Sequence, residues 1–290
     1  MPSSTYHYNI SVSKKADKNT EVKEAIQQIY NEHQGRYGMD RITPELAKRG
    51  VVRNRKTVGK LMKEMDIKAV IRQPKYYKSS CQGTESKTVS NIINRNFVAE
   101  APNQKWTTDV TQFSVLGHKL YLSAIIDMFN SEVIAYELSE KPDLKLVTDM
   151  LNKAFDMFLD NNNLILHSDQ GWQYQHSVYQ AMLKSKGITQ SMSRKGNCLD
   201  NALIENFFGL LKSEFFHIKE FESIEMFKEE LDEYIVYYNN KRIKLKLGGL
   251  SPAEYRAKFQ ESKKQNIAFT FRTPNVLTPT FLGENKKVYT

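Results

Sequence analysis

The chain has little cysteine: two residues in 290, Cys81 and Cys198. That excludes a disulfide framework and a multi-cysteine zinc site, and a reducing cytoplasm is the simplest compartment. No apolar run is long enough to span a membrane. The opening residues, "MPSSTYHYNISVSKKADKN", lack the apolar segment of a secretory signal. The sustained heptads of a coiled coil are missing too. Acidic residues are scarce in one region only. Residues 1–100 hold 19 Lys and Arg against 10 Asp and Glu, a surplus equal to the whole net charge of +9. A basic module joined to a charge-balanced one suits contact with a polyanion. A solvated basic surface with no ligand has the same composition.

What is present divides the chain. After an N-terminal arm, 1–20, three short helices are predicted within 21–66. Val22, Ala25, Ile26, Ile29 and Tyr30 recur at helical spacing. Thr43, Pro44 and Glu45 read as an N-cap, first-turn proline and first-turn acid, with Gly50 closing that helix. The third helix turns Val58, Leu61, Met62 and Met65 inward and Arg55, Lys56, Lys60 and Lys63 outward. Three short helices with a basic last one fit a helix-turn-helix unit, with Arg53, Arg55, Lys56 and Lys60 facing DNA. A small helical bundle for protein contacts has the same pattern. Residues 67–98 read as a basic linker.

From about residue 99 the pattern changes. "QKWTTDVTQFSV", "LYLSAIIDMF" and "EVIAYEL" read as a meander of three strands, with "LGHK" as a turn. Then come a helix, the short buried strand "NLILHSD", a helix closed by Gly187, and the strand "ITQSMS". Two long helices finish the pattern, one capped by Asp200 and a last one from "SIEMF". This order predicts a mixed α/β sheet with flanking helices over 99–260, followed by a tail, 261–290.

Three carboxylates stand out. Asp109 lies inside the first strand, where a buried acid is costly unless paired or metal-bound. Asp169 ends the fourth strand in "HSDQGWQY". The first and fourth strands can be neighbours in such a sheet. Glu205 lies on the helix after Asp200, on a face with Asn201, Phe208, Gly209 and Lys212, while Leu203, Phe207, Leu210, Leu211 and Phe215 pack. Three acids meeting at a sheet edge repel one another unless cations neutralise them. Oxygen-only ligands suit Mg²⁺, or Mn²⁺ in its place. Two such ions about 4 Å apart would polarise an attacking oxygen and stabilise a leaving one in phosphoryl transfer. Any one of these acids alone reads as a solvated surface group.

The spacing is 59 residues between Asp109 and Asp169 and 35 between Asp169 and Glu205, with Lys212 seven further on. With the words "PNQKWTTDVTQF", "HSDQGWQY", "SRKGNCLDNALIENFFGLLKSE" and "YYNNKRIKLKLGGLSPAEYR", it resembles the DDE triad of retroviral integrases and insertion-sequence transposases. The upstream "HQGRYGMDRITPELAKRGVVRNRKTVGKLMKEM" is similar to the helix-turn-helix of the IS three family. The resemblance covers roughly 21–260. It implies a ribonuclease H-like integrase core in which Asp109, Asp169 and Glu205 bind two Mg²⁺ ions. Lys212 would touch DNA phosphate, and Asn201 and Tyr174 would shape the pocket or touch DNA. The implied reaction is 3′-end cleavage by water, then strand transfer by the 3′-OH. Implied partners are terminal inverted repeats, target DNA, further copies of the chain and an upstream segment fused by frameshifting. The implied location is the bacterial cytoplasm, at the nucleoid. Two positions depart from the family pattern: Lys244 stands where many relatives have histidine, and Asp40 where many have a basic or aromatic residue. Two other readings share these features, a DNA-binding regulator with no chemistry and a structure-specific nuclease.

Overall fold

The computed structural model describes residues 17–70, 89–157, 163–194 and 198–270. The expected arm through residue 16, linker residues 71–88 and tail residues 271–290 lie outside these.

Three helices, α1 (Thr20–Glu32), α2 (Met39–Lys48) and α3 (Arg55–Glu64), pack through Val22, Ile26, Ile29, Ile42, Leu46, Val58, Leu61 and Met62. The inward positions of α3 are those its 3.6-residue period gives. Its N-cap is Asn54, whose side chain accepts the Lys56 N–H at 2.8 Å. The cap expected at Thr43 is corrected: α2 starts at Met39, and the Thr43 hydroxyl donates back to the Met39 carbonyl inside the helix. Pro44 sits in the second turn of the same helix, where its missing N–H removes the bond to the Asp40 carbonyl.

Five strands follow: β1 (Lys105–Val115), β2 (His118–Asp127), β3 (Val133–Ser139), β4 (Ile165–Ser168) and β5 (Thr189–Met192). They form one sheet in the order β3-β2-β1-β4-β5. The first three are antiparallel, and β4 pairs parallel with both β1 and β5. Leu116 and Gly117 make the β1–β2 turn with φ of 50° and 82°, the left-handed pair a two-residue hairpin needs. The helices α4 (Leu144–Asp156), α5 (Trp172–Gln175) and α6 (Ser177–Ser185) connect the parallel part. Val147, Met150, Leu151, Tyr179 and Leu183 from α4 and α6 cover one face of the sheet, with Trp106 and Leu166 beneath them.

The other face carries α7 (Ala202–Glu214) and α8 (Ile224–Asn240). Phe207, Leu211, Phe227, Leu231 and Tyr238 pack there on Phe113, Leu122 and Ala124. This is the three-layer ribonuclease H-like arrangement. The face expected on α7 is too narrow. Ile204 and Phe208 are buried as well, because the helix lies between the sheet and α8 and is enclosed on more than one side.

A further helix, α9 (Pro252–Thr270), was not anticipated. It crosses the expected start of the tail at 261. Its signal was legible in "SPAE", a capping box in which Glu254 Oε2 accepts the Ser251 N–H at 2.7 Å and Ser251 Oγ accepts the Glu254 N–H at 3.2 Å. Residues 89–98, expected as linker, reach the sheet edge. Met192 N–H donates to the Ser90 carbonyl, and the Ile92 N–H to Ser191 Oγ.

The small helical unit is seated on the sheet unit. Ile243, which follows α8, sits in the core of α1–α3, and the Tyr37 hydroxyl accepts the Ile243 N–H at 2.7 Å. Among the described residues, no helix is long and apolar enough to cross a membrane.

Candidate active site

Asp109 is the fifth residue of β1, and Asp169 directly follows β4. Because β1 and β4 are hydrogen-bonded neighbours, the fold brings these acids side by side. Asp109 belongs to the sheet face that α7 covers, since Thr107, Asp109, Thr111 and Phe113 alternate to one side. Burial, then the charge of Asp169, push the Asp109 carboxyl up to about 8. The Glu205 charge raises it further, and Lys212 and a hydrogen bond from the Val110 N–H oppose the rise. The Asp169 carboxyl is also raised by burial, against one hydrogen bond from the Gly171 N–H at 2.8 Å.

That bond explains "HSDQGWQY". The turn folds the chain so tightly that a Cβ on Gly171 would stand 3.0 Å from Asp169 Oδ1 and 3.2 Å from Tyr174 Cδ2. The aspartate is held at the sheet edge by the glycine two residues on. Glu205, half-buried, is the fourth residue of α7. Two turns along, Lys212 Nζ lies 5.3 Å from the Phe113 ring centroid.

The donor set is all oxygen, and the charges reinforce one another. Such a set fits a hard divalent cation. Among the described residues, however, no three His, Cys, Asp or Glu side chains stand close enough to hold one ion as they are. The two aspartates are adjacent, and Glu205 acts on Asp109 as a charge.

The remaining expected site residues divide by burial. Arg53, Arg55, Lys56 and Lys60 are exposed on and before α3. Arg55 is paired with Asp40. Asn201 and Tyr174 are buried, at 3% and 1% exposure. Neither presents more than a trace of surface to a partner in this structure. Tyr174 lies close enough to Asp109 and Asp169 for their charges to act on its hydroxyl.

Sequence reasoning missed Thr107, His167 and the true role of Asp200. Asp200 is not a helix cap. Its buried carboxylate accepts from Asn91 at 2.9 Å, from Arg95 Nε at 2.9 Å and from Arg194 Nε at 3.0 Å. Burial alone would raise its pKa, but these hydrogen bonds prevail and hold the carboxyl down at about 2. The signal was a polar residue two positions before each strand acid, in "TTD" and "HSD".

Comparison with known families gives three matches along the chain: "Integrase core domain" over residues 99–198, a second "Integrase core domain" over 205–259, and "HTH-like domain" over 17–75. The InsK protein of insertion sequence element IS150 from Escherichia coli K12 is 50% identical over 256 residues, covering 88% of this chain and 90% of that protein. Transposase InsF of insertion sequence IS3A, from the same organism, is 35% identical over 224 residues, 77% of each chain. Among solved structures, the HTLV-2 integrase catalytic core domain aligns with 54% of this chain and 98% of its own at 16% identity and a TM-score of 0.45.

Proposed function

The chain belongs to the insertion-sequence transposases with an integrase core, and on that premise we propose that it cuts the 3′ ends of its element and joins them to target DNA at Asp109, Asp169 and Glu205. The observation that carries this reading is the pairing of β1 with β4, which sets Asp109 beside Asp169 at the edge faced by Glu205. Those three side chains would hold Mg²⁺, or Mn²⁺ in its place. A bound divalent cation would supply Lewis acidity to the phosphate and to the attacking oxygen.

The chain's own groups do the rest. The partly exposed acids admit a phosphodiester from outside. Lys212, on the same helix as Glu205, would meet its phosphate charge. The exposed Lys56, Lys60 and Arg53 would hold the DNA end on α3 through its backbone. In the first step water breaks a phosphodiester and frees a 3′-OH. In the second that hydroxyl forms a new P–O bond with the target strand, and the displaced O3′ takes up a proton. Further copies of the chain would complete the working complex.

The test is joining of a labelled duplex ending in the element's terminal repeat to a plasmid, in Mg²⁺ and in Mn²⁺. Joining by wild type and not by Glu205→Gln is the expected result. Tight, repeat-specific binding by wild type with no joining, even after the upstream segment is supplied, would make the chain a silent regulator and sink the reading.

A further inference from the structure

Thr107 and His167 are Cα partners in the last rung of the parallel β1–β4 ladder. Each lies two residues before an acid of the site, Thr107 before Asp109 and His167 before Asp169. Both are buried, and both reach the same short turn, Cys198–Asn201, from which α7 starts. The Thr107 hydroxyl donates to Asn201 Oδ1 at 2.7 Å. His167 Nε2 stands 3.0 Å from the Asp200 carbonyl oxygen. A carbonyl only accepts, so Nε2 carries the hydrogen. His167 Nδ1 then accepts from the Ser191 hydroxyl at 2.9 Å, and Ser191 Oγ accepts the Ile92 N–H at 3.0 Å. One turn of helix beyond Asn201 stands Glu205.

We propose that Thr107 and His167 are positioning residues: through Asn201 and Asp200 they fix the start of α7, and so set Glu205 against Asp109 and Asp169. The inference rests on the cation-holding triad proposed above. Its physical basis is a difference in attachment. Asp109 lies in a strand ladder and Asp169 directly follows one, tied by the Gly171 N–H, whereas Glu205 rides on a helix that belongs to no strand. The charge of Glu205 acts on Asp109, and like charge between them opposes close approach of the first turn of α7 to the sheet. The two hydrogen bonds counter that repulsion at the point nearest the acids. Stability alone does not account for the amide at 201. Its Nδ2 is buried with no hydrogen-bond partner among the described residues, a cost that an apolar side chain would avoid.

The test is Mn²⁺ binding to the full chain, read by electron paramagnetic resonance of the free ion, beside thermal melting. The variants are Thr107→Val, Thr107→Ser and Glu205→Gln. Thr107→Val keeps the shape and removes the donor. It is expected to weaken Mn²⁺ binding about tenfold, the usual effect of losing a group that orients a ligand, while melting close to wild type. Thr107→Ser restores the hydroxyl and is expected to restore binding. Joining by Thr107→Val should recover as Mn²⁺ is raised, which a general loss of structure would not allow. Should Thr107→Val not fold, Asn201→Leu removes the acceptor instead and is read in the same way. Wild-type affinity in Thr107→Val beside weak binding in Glu205→Gln overturns the inference and leaves the triad standing. Equal weakness of the Ser and Val variants also overturns it. Wild-type affinity in Glu205→Gln removes the triad itself.

Discussion

Arg242 and Glu214 meet as a buried fork: Nε lies 2.6 Å from Oε2 and Nη2 2.6 Å from Oε1, with side-chain exposures of 1% and 5%. The pair closes the junction between the two units. Arg41 of α2 approaches the same carboxylate at 3.6 Å, and Arg36 Nε donates to the Glu214 carbonyl at 2.9 Å. Glu214 ends the helix that carries Glu205, so α7 links the junction to the site.

Breaking this pair from one side leaves a buried charge alone. Glu214→Gln and Arg242→Met should each cost about 3–5 kcal/mol, and the double variant less than the sum. Urea unfolding of the four proteins measures the coupling. Additive losses would show that the fork holds nothing together.

His33 stacks on Tyr37 at 3.7 Å between centroids, and its Nδ1 lies 3.0 Å from the Tyr237 hydroxyl across the junction. Burial lowers its pKa to about 4, with the Arg49, Arg36 and Lys241 charges adding and Glu32 opposing. Above pH 6.5 the ring is neutral folded or unfolded. Between 6.5 and 4 only the unfolded chain takes the proton, so stability falls as pH falls through that window. His33→Phe should lose this slope. Melting at pH 7 and pH 4.5 would show it as a smaller drop in the variant.

Lys244 donates to the Tyr238 hydroxyl at 2.6 Å. Burial, then the Arg242 and Arg41 charges, lower its pKa to about 7. Below pH 7 the lysine is charged in both states and its burial cost is fully present. From 7 toward 10.5 the folded chain sheds the proton first, so the cost is relieved as pH rises. Lys244→Met should therefore raise the melting temperature at pH 6.5 and lose that advantage by pH 10. A gain that is constant across this range would rule out titration as its source.

Gly171→Ala should slow joining about ten- to hundredfold through displacement of the Asp169 carboxylate, with little change in melting. The backbone there, with φ of −54°, suits alanine, so the close approach to Asp169 is what forbids it. Unaltered joining would mean that the turn yields freely.

Lys56, exposed on the first turn of α3, should act as a phosphate contact. Lys56→Ala is expected to weaken binding to all duplexes alike and reduce the salt slope by about one. A loss confined to the terminal repeat would make it a base contact instead.

Local pattern set most of the elements and the acids. The 3.6-residue spacing of Val58, Leu61 and Met62 and the β-branched run around Asp109 follow from near-neighbour sterics and burial, which act within a few residues. The spacing of Asp109, Asp169 and Glu205 marked the candidate site before any fold was built. Where no period is involved, the sequence was ambiguous. Thr43 looked like a cap and is a helix interior, and Asp200 looked like a cap and is held by Arg95 and Arg194. A hydroxyl or carboxylate bonds whatever donor or acceptor the chain brings near, whether four residues away, as Met39 is from Thr43, or about a hundred, as Arg95 is from Asp200. Thr107 meets Asn201 and Arg242 meets Glu214 only because β4 inserts beside β1 and the segment after α8 turns back under α7. The sequence by itself determined which residues could be helix, strand and acid. The tertiary structure decided which polar groups are buried together, because only packing removes the water that would otherwise serve each of them equally well.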